Sequence, residues 1–280
     1  MVQRSAITCL VSAAILAIAT GTFAAAYDDF ARGISANLQG DTALAVTSFS
    51  AAITAGDLNA TLLPAAYRGR AVAYLRQGKC KDAIGDLNAF LRLKPGDLQG
   101  LYLRSSTQAC VGEYSAAESD LTEVIAARPE PGAYSNRGIV RWRMNHFSGA
   151  ADDFGHVVGL QPGNAYAVLW LELSRARGSA LDLKVGEHDL RQLDSNDWPA
   201  PLIKMFLGDA KPDDMTAAAT HGDSGKIAGQ QCEADFYVAE WWLARNDATA
   251  AKPLLESASQ NCPKNFVEYS NARFELSVLK

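Results

Sequence analysis

The chain has 280 residues, with 26 basic against 31 acidic side chains and a formal net charge of −5. No basic block or basic-aromatic stripe occurs, which argues against a nucleic-acid partner. Nearly half of the residues (48%) are apolar, so a chain of this length can bury a large core as one or two domains.

Residues 1–26 differ from the rest. Arg4 is their lone charge, an apolar run starts at Ala6, and the stretch closes on Ala24-Ala25-Ala26 before Tyr27-Asp28-Asp29. Basic start, short apolar core and A-x-A exit describe a secretory signal peptide, with cleavage expected after Ala26. An uncleaved anchor is the alternative, although the run is short for a membrane span. Cys9 precedes most of the apolar run, whereas a lipoprotein cysteine follows it, so there is no lipobox. The expected mature chain keeps 254 residues and four cysteines, and no later apolar run is long enough to cross a membrane.

A repeat of about 34 residues follows. Its copies begin ARGISANLQGDTALAVTSFSAAI (31–53), YRGRAVAYLRQGKCKDAIGDLNAFLRLKP (67–95), LYLRSSTQACVGEYSAAESDLTEVIAARP (101–129) and YSNRGIVRWRMNHFSGAADDFGHVVGLQP (134–162). Small residues recur at the eighth position (Gly33, Ala71, Ser105, Gly138) and the twentieth (Ala45, Ala83, Ala117, Ala150). Bulky apolar residues fill the twenty-fourth (Phe49, Leu87, Leu121, Phe154), and a proline then stops the second helix in the later copies. This pattern resembles the tetratricopeptide repeat (TPR), two antiparallel helices per unit.

Arginine recurs at position seven (Arg32, Arg70, Arg104, Arg137) and aspartate at position twenty-three (Asp86, Asp120, Asp153). In such a hairpin the two positions stand at about the same height, which predicts structural ion pairs. A ligand-binding arginine row is the alternative.

From Ala165 the pattern loosens. YAVLWLELSRAR and LDLKVGEHDLRQLD read as a helical pair, and WPAPLIKMFLGDAKPDD is broken by prolines before a fresh helix start at Pro212. The stretch 232–263 fits the repeat again, and FVEYSNARFELSVL reads as a terminal helix whose Phe266, Tyr269, Ala272, Phe274, Leu276 and Leu279 can cover the end of the stack.

The segments YAVLWLELSRAR, WPAPLIKMFLG, CEADFYVAEWWLARND and the CP…EY…A…EL ending resemble the NlpI-type TPR proteins of bacterial envelopes, over essentially the whole mature chain. The resemblance implies a periplasmic, non-enzymatic scaffold or adaptor for envelope peptidases or murein hydrolases, and it allows a homodimer. The expected fold is an all-α TPR superhelix of helical hairpins, with irregular helices before a C-terminal repeat and capping helix. The expected division is a signal peptide (1–26), N-terminal repeats (27–163) and a C-terminal helical region (164–280).

In that register Cys80 begins the second helix of one repeat and Cys110 ends the first helix of the next. Cys232 opens the last repeat and Cys262 closes it. Two disulfides are expected, each contributing about 2–4 kcal/mol. No C-x-x-C pair supports zinc or thiol redox chemistry.

Residues 222–225 read Gly-Asp-Ser-Gly, as around the nucleophile of trypsin-like peptidases. That chemistry needs a scaffold that sets a histidine and a buried aspartate beside the serine and aims amides at the oxyanion. An all-helical array offers none, so Ser224 reads as a chance match. Gly225-Lys226 likewise fails as a phosphate loop, with Thr220 and Ile227 at the positions its first glycine and its Ser/Thr would hold. His146, His156 and His188 lack ligand spacing. No metal or cofactor is expected, Trp170, Trp198, Trp241 and Trp242 read as packing residues, and the acidic excess reads as solvated surface.

The first helices of stacked hairpins line the inner face of the array. Positions five, nine, twelve and thirteen face it: Arg68, Val72, Leu75 and Arg76; Tyr102, Ser106 and Ala109; Ser135, Ile139, Trp142 and Arg143. Aromatic and arginine residues are typical contact hot spots. The alternative for Trp142 is packing against a neighbouring repeat. Arg68 and Val72 stand where a chaperone-type carboxylate clamp has Lys and Asn, so capture of a free C-terminus is not expected. The leading expectation is a protein-binding adaptor. An assembly factor for an outer-membrane or secretion complex is the second reading, and a Ser224 hydrolase a disfavoured third.

Overall fold

The computed structural model describes residues 25–178, 197–221 and 225–279. Residues 1–24, which carry most of the expected signal peptide, lie outside that set, as do His188 and Ser224. Every regular element among the described residues is helical.

The chain divides into two compact units, Met1–Ala127 and Arg128–Lys280. In the first unit α1 runs over 25–39 and is followed by α2 (Thr42–Ala55), α3 (Leu62–Arg76), α4 (Cys80–Leu93), α5 (Leu98–Cys110) and α6 (Tyr114–Ala127). Side chains start several of these helices. Asp41 accepts from the Leu44 amide and Asp97 from the Gly100 amide, each satisfying a donor the first turn cannot pair. Gly56 closes α2 at φ 75°, a left-handed conformation that favours glycine.

The repeat positions explain why the hairpins close. Ala45, Ala71, Ala83 and Ala117 are fully buried between helices. Position eight faces position twenty-four of the same repeat, and the two are matched in size. A Cβ on Gly33 would sit 2.8 Å from the Phe49 ring, and one on Gly138 would sit 2.8 Å from the Phe154 ring. Where position twenty-four is the smaller Leu87 or Leu121, position eight carries Ala71 or Ser105. The sum is held roughly constant, as a close-packed interior demands.

The second unit contains α7 (Pro131–Arg143), α8 (Phe147–Leu160), α9 (Ala165–Arg177), α10 (Ala200–Leu207), a 3-10 turn at Pro212–Asp214, α11 (Met215–Ala218), α12 (Ile227–Leu243), α13 (Ala248–Asn261) and α14 (Val267–Val278). Its core is aromatic. Trp170 on α9, Trp142 on α7, and Phe236 and Tyr237 on α12 pack ring to ring with centroids 5.1–6.4 Å apart. Most of α9 is buried. Asn164 and Asp247 cap α9 and α13, and the Trp198–Pro199 peptide is cis.

Within the second unit the fourth repeat is tied to the C-terminal helices, with Trp142 in the shared core and Arg143 bonded to Asn271. The expected solvated acidic surface needs correction. Glu172, Glu233, Glu240, Glu268 and Glu275 are all buried, as are the repeat aspartates.

Candidate protein-binding face

The arginines at position seven are structural. Arg70 grips Asp86 through two bonds of 2.8 and 2.7 Å, and Arg104 grips Asp120 at 2.7 and 2.8 Å. Each also reaches back to position twenty-five of the preceding repeat, Arg70 to the Ser50 hydroxyl and Arg104 to the Asn88 carbonyl oxygen, both at 2.9 Å. One planar fork therefore ties its own hairpin and sets the next in register. Arg137 holds Asp153 at 2.7 Å, with Arg141 on the same carboxylate at 3.0 Å. Arg32 lacks an aspartate at position twenty-three (Ser48 stands there) and pairs with Asp29 in its own helix. For Arg70, Arg104 and Arg137 the geometry thus supports the structural reading over the ligand-binding one, whereas Arg32 is exposed and paired only within its own helix.

In the first unit the inner-face positions are open. Arg68, Arg76 and Ser106 are exposed, Tyr102 is 36% exposed, and Val72 and Leu75 are half-buried. Arg76 donates to the Asn37 carbonyl at 2.6 Å, at the C-terminal end of α1, where a cation is favoured. Arg68 lies over the Phe90 ring and reaches Gln99 at 3.4 Å. Two residues absent from the sequence-derived set complete this face. Ile34 and Leu38 occupy positions nine and thirteen of the first repeat and are 39% and 84% exposed. The register alone could have found them.

The second unit differs. Trp142 is 1% exposed, and the packing alternative is the one the geometry supports. Arg143 is half-buried and bonds α14, donating to the Asn271 side-chain oxygen at 2.8 and 2.6 Å and to the Ser270 hydroxyl at 2.9 Å. Phe274 lies against both residues. Ile139 is half-buried on the core and Ser135 is half-buried. The inner-face positions at the end of α7 are thus occupied by the chain's own terminal helix.

Further ties hold α14. The Tyr237 hydroxyl donates to Glu268 at 2.9 Å, and Arg177 lies 3.3 Å from Glu275 and 3.2 Å from Glu240. Burial pushes the Glu268 carboxyl up to about 7, against the opposing pull of its hydrogen bonds. Burial raises Glu240 and Glu275 as well, against the opposing pull of the Arg177 guanidinium that the two carboxyls share.

The expected disulfides form. Cys80–Cys110 and Cys232–Cys262 have Cα–Cα distances of 6.3 and 5.0 Å. Among the described residues no cluster of His, Cys, Asp or Glu could hold a metal ion, and no helix is long and apolar enough to cross a membrane. His221, nearest in sequence to Ser224, has its Nδ1 2.8 Å from the Ala217 carbonyl. His156 stacks on Tyr134.

No family model matches the chain. Solved structures do. A tetratricopeptide repeat protein from Parabacteroides merdae aligns over 90% of this chain and 99% of its own, at TM-score 0.61 and 17% identity. The MamA protein aligns over 67% and 96%, at TM-score 0.54 and 19% identity. The C-terminal part of a TPR repeat-containing protein from Cytophaga hutchinsonii aligns over 88% and 86%, at TM-score 0.52 and 16% identity. With the hairpin geometry above, these likenesses give the chain its fold: it is an all-α protein of the tetratricopeptide-repeat type.

Proposed function

We propose that this chain is an exported, non-enzymatic adaptor of the cell envelope, which holds partner proteins on the first-helix face of its N-terminal unit. One observation carries the reading. Arg143, at position thirteen of the fourth repeat, already holds a helix, bonding its polar side chains while Trp142 packs against its Phe274. Arg76 stands at the same position of the second repeat beside half-buried Leu75, and Ile34 and Leu38 on α1 and Tyr102 on α5 are exposed. A scattered exposed apolar residue is ordinary, but several in register beside arginines make a binding surface.

The signal-peptide pattern and the two disulfides support export into an oxidising compartment. The NlpI-type resemblance supports envelope peptidases or murein hydrolases as the partners. Cross-linked affinity capture from the native envelope tests this. Recovery of such hydrolases, reduced by Tyr102→Ala or Leu38→Asp, supports the adaptor, whereas recovery of secretin or barrel-assembly components alone favours the assembly factor. Peptidase activity of the purified chain that is lost in Ser224→Ala would reverse the non-enzymatic reading.

A further inference from the structure

The second unit holds a cavity of about 1070 Å³ that the adaptor reading does not use. Its lining includes the aromatic residues Tyr166, Trp198 and Phe266 and the acidic residues Glu233 and Asp197. Glu233 comes from the second turn of α12 and is 7% exposed. Its Oε2 is fixed from two sides, accepting from the Trp198 indole at 2.5 Å and from the Tyr166 hydroxyl at 2.9 Å.

Both donors serve the same oxygen. Oε1 has no hydrogen-bond partner among the described residues. Lys226, one cationic side chain on the wall, forms no ion pair with Glu233 within 4.0 Å. Oε1 thus keeps its acceptor capacity for whatever enters the cavity, and a mostly buried carboxylate gains from an opposite charge placed there. Burial accordingly raises the Glu233 pKa, although the indole and phenol pull it the other way. Aromatic faces around an acidic base are also the surroundings a desolvated alkyl cation prefers, the rings taking its stem and part of its charge.

We infer that this cavity binds a lysine-type alkylammonium group, with its nitrogen on Glu233 Oε1 and its aliphatic stem among Tyr166, Trp198 and Phe266. The group comes either from a free alkylamine or from a lysine side chain of a polypeptide. A compact ammonium donates to a single oxygen, which is what Glu233 offers. The bidentate fork of an arginine wants both oxygens of a carboxylate, and here one is already taken.

Calorimetric titration of the full chain with three probes tests this: n-pentylammonium, Nα-acetyl-lysine methylamide and pentanol. Saturable binding of pentylammonium and not of pentanol is expected, with affinity reduced about tenfold or more in Glu233→Gln, since a hydrogen bond to a charged group is lost. Binding of the lysine amide as well identifies a polypeptide side chain as the source. Its exclusion identifies a free amine. Ala228→Trp changes an exposed position on the cavity wall, obstructs the space without touching Glu233, and is expected to abolish binding if Glu233→Gln fails to fold. Equal uptake of pentanol, no saturation by either cation, or binding unchanged in Ala228→Trp overturns the inference.

Discussion

Arg143 and Asn271, 128 residues apart in sequence, are joined by two hydrogen bonds to a single side-chain oxygen, and Asn271 is fully buried. Removing the guanidinium leaves that oxygen without its donors, at a cost of about 1–3 kcal/mol. Arg143→Ala is therefore expected to lower the melting temperature and to speed amide exchange across 267–278. The exchange should change little over α1–α6. Uniform protection along α14 in the variant would show that the terminal helix is held by its other contacts alone.

Arg70→Leu is expected to destabilise the fold by about 3–5 kcal/mol, because Asp86, with a side chain 7% exposed, loses its partner. Arg76→Ala removes one exposed bond to a helix-terminal carbonyl and should cost about 1 kcal/mol or less. Denaturant midpoints of the two variants decide the order, and equal midpoints would contradict the structural role given to the position-seven row.

Gly138→Ala puts a methyl group 2.8 Å from the Phe154 ring. Overpacking of this kind costs about 1–3 kcal/mol. The double variant Gly138→Ala/Phe154→Leu should recover part of the loss, since it recreates the Ala71–Leu87 combination. Additive losses in the cycle would refute the size matching between positions eight and twenty-four.

Stability of the C-terminal unit should fall as pH rises. The Glu268 carboxyl titrates near 7 in the folded chain against an ordinary 4.5. Between those values the folded state holds a proton that the unfolded state has lost, so the folded state weakens across this window and stays weakened above it. The difference amounts to about 3 kcal/mol as an upper figure. Glu268→Gln, which cannot ionise, should flatten thermal melts between pH 5 and 8 and melt higher than the parent at pH 8. A parent chain equally stable at both ends of that range would exclude the effect.

The repeats were legible because each hairpin fixes a constant spacing between residues that touch. Arg70 and Asp86, Arg104 and Asp120, and Arg137 and Asp153 are all 16 apart, and both disulfides span 30. Periodicity also carries Ile34 and Leu38, at positions nine and thirteen of the first repeat. No spacing carries the bond from Arg143 to Asn271, since it joins two irregularly separated elements. Glu240, Glu268 and Glu275 looked like surface charge for a related reason. Their burial depends on Arg177 and Tyr237, which reach them only after the chain has folded back.

Arrays of stacked hairpins usually fray from an end, each unit peeling off when its one neighbour contact fails. The Cys80–Cys110 bridge prevents such peeling at its position, because it joins the second helix of one repeat to the first helix of the next. Melting that begins at α1 can run inward only as far as this staple before two repeats must open together. A protease that cuts the turn at 94–97 would leave the two pieces covalently attached. For a protein proposed to work beside peptidases, the oxidised stack survives a nick that would separate a reduced one.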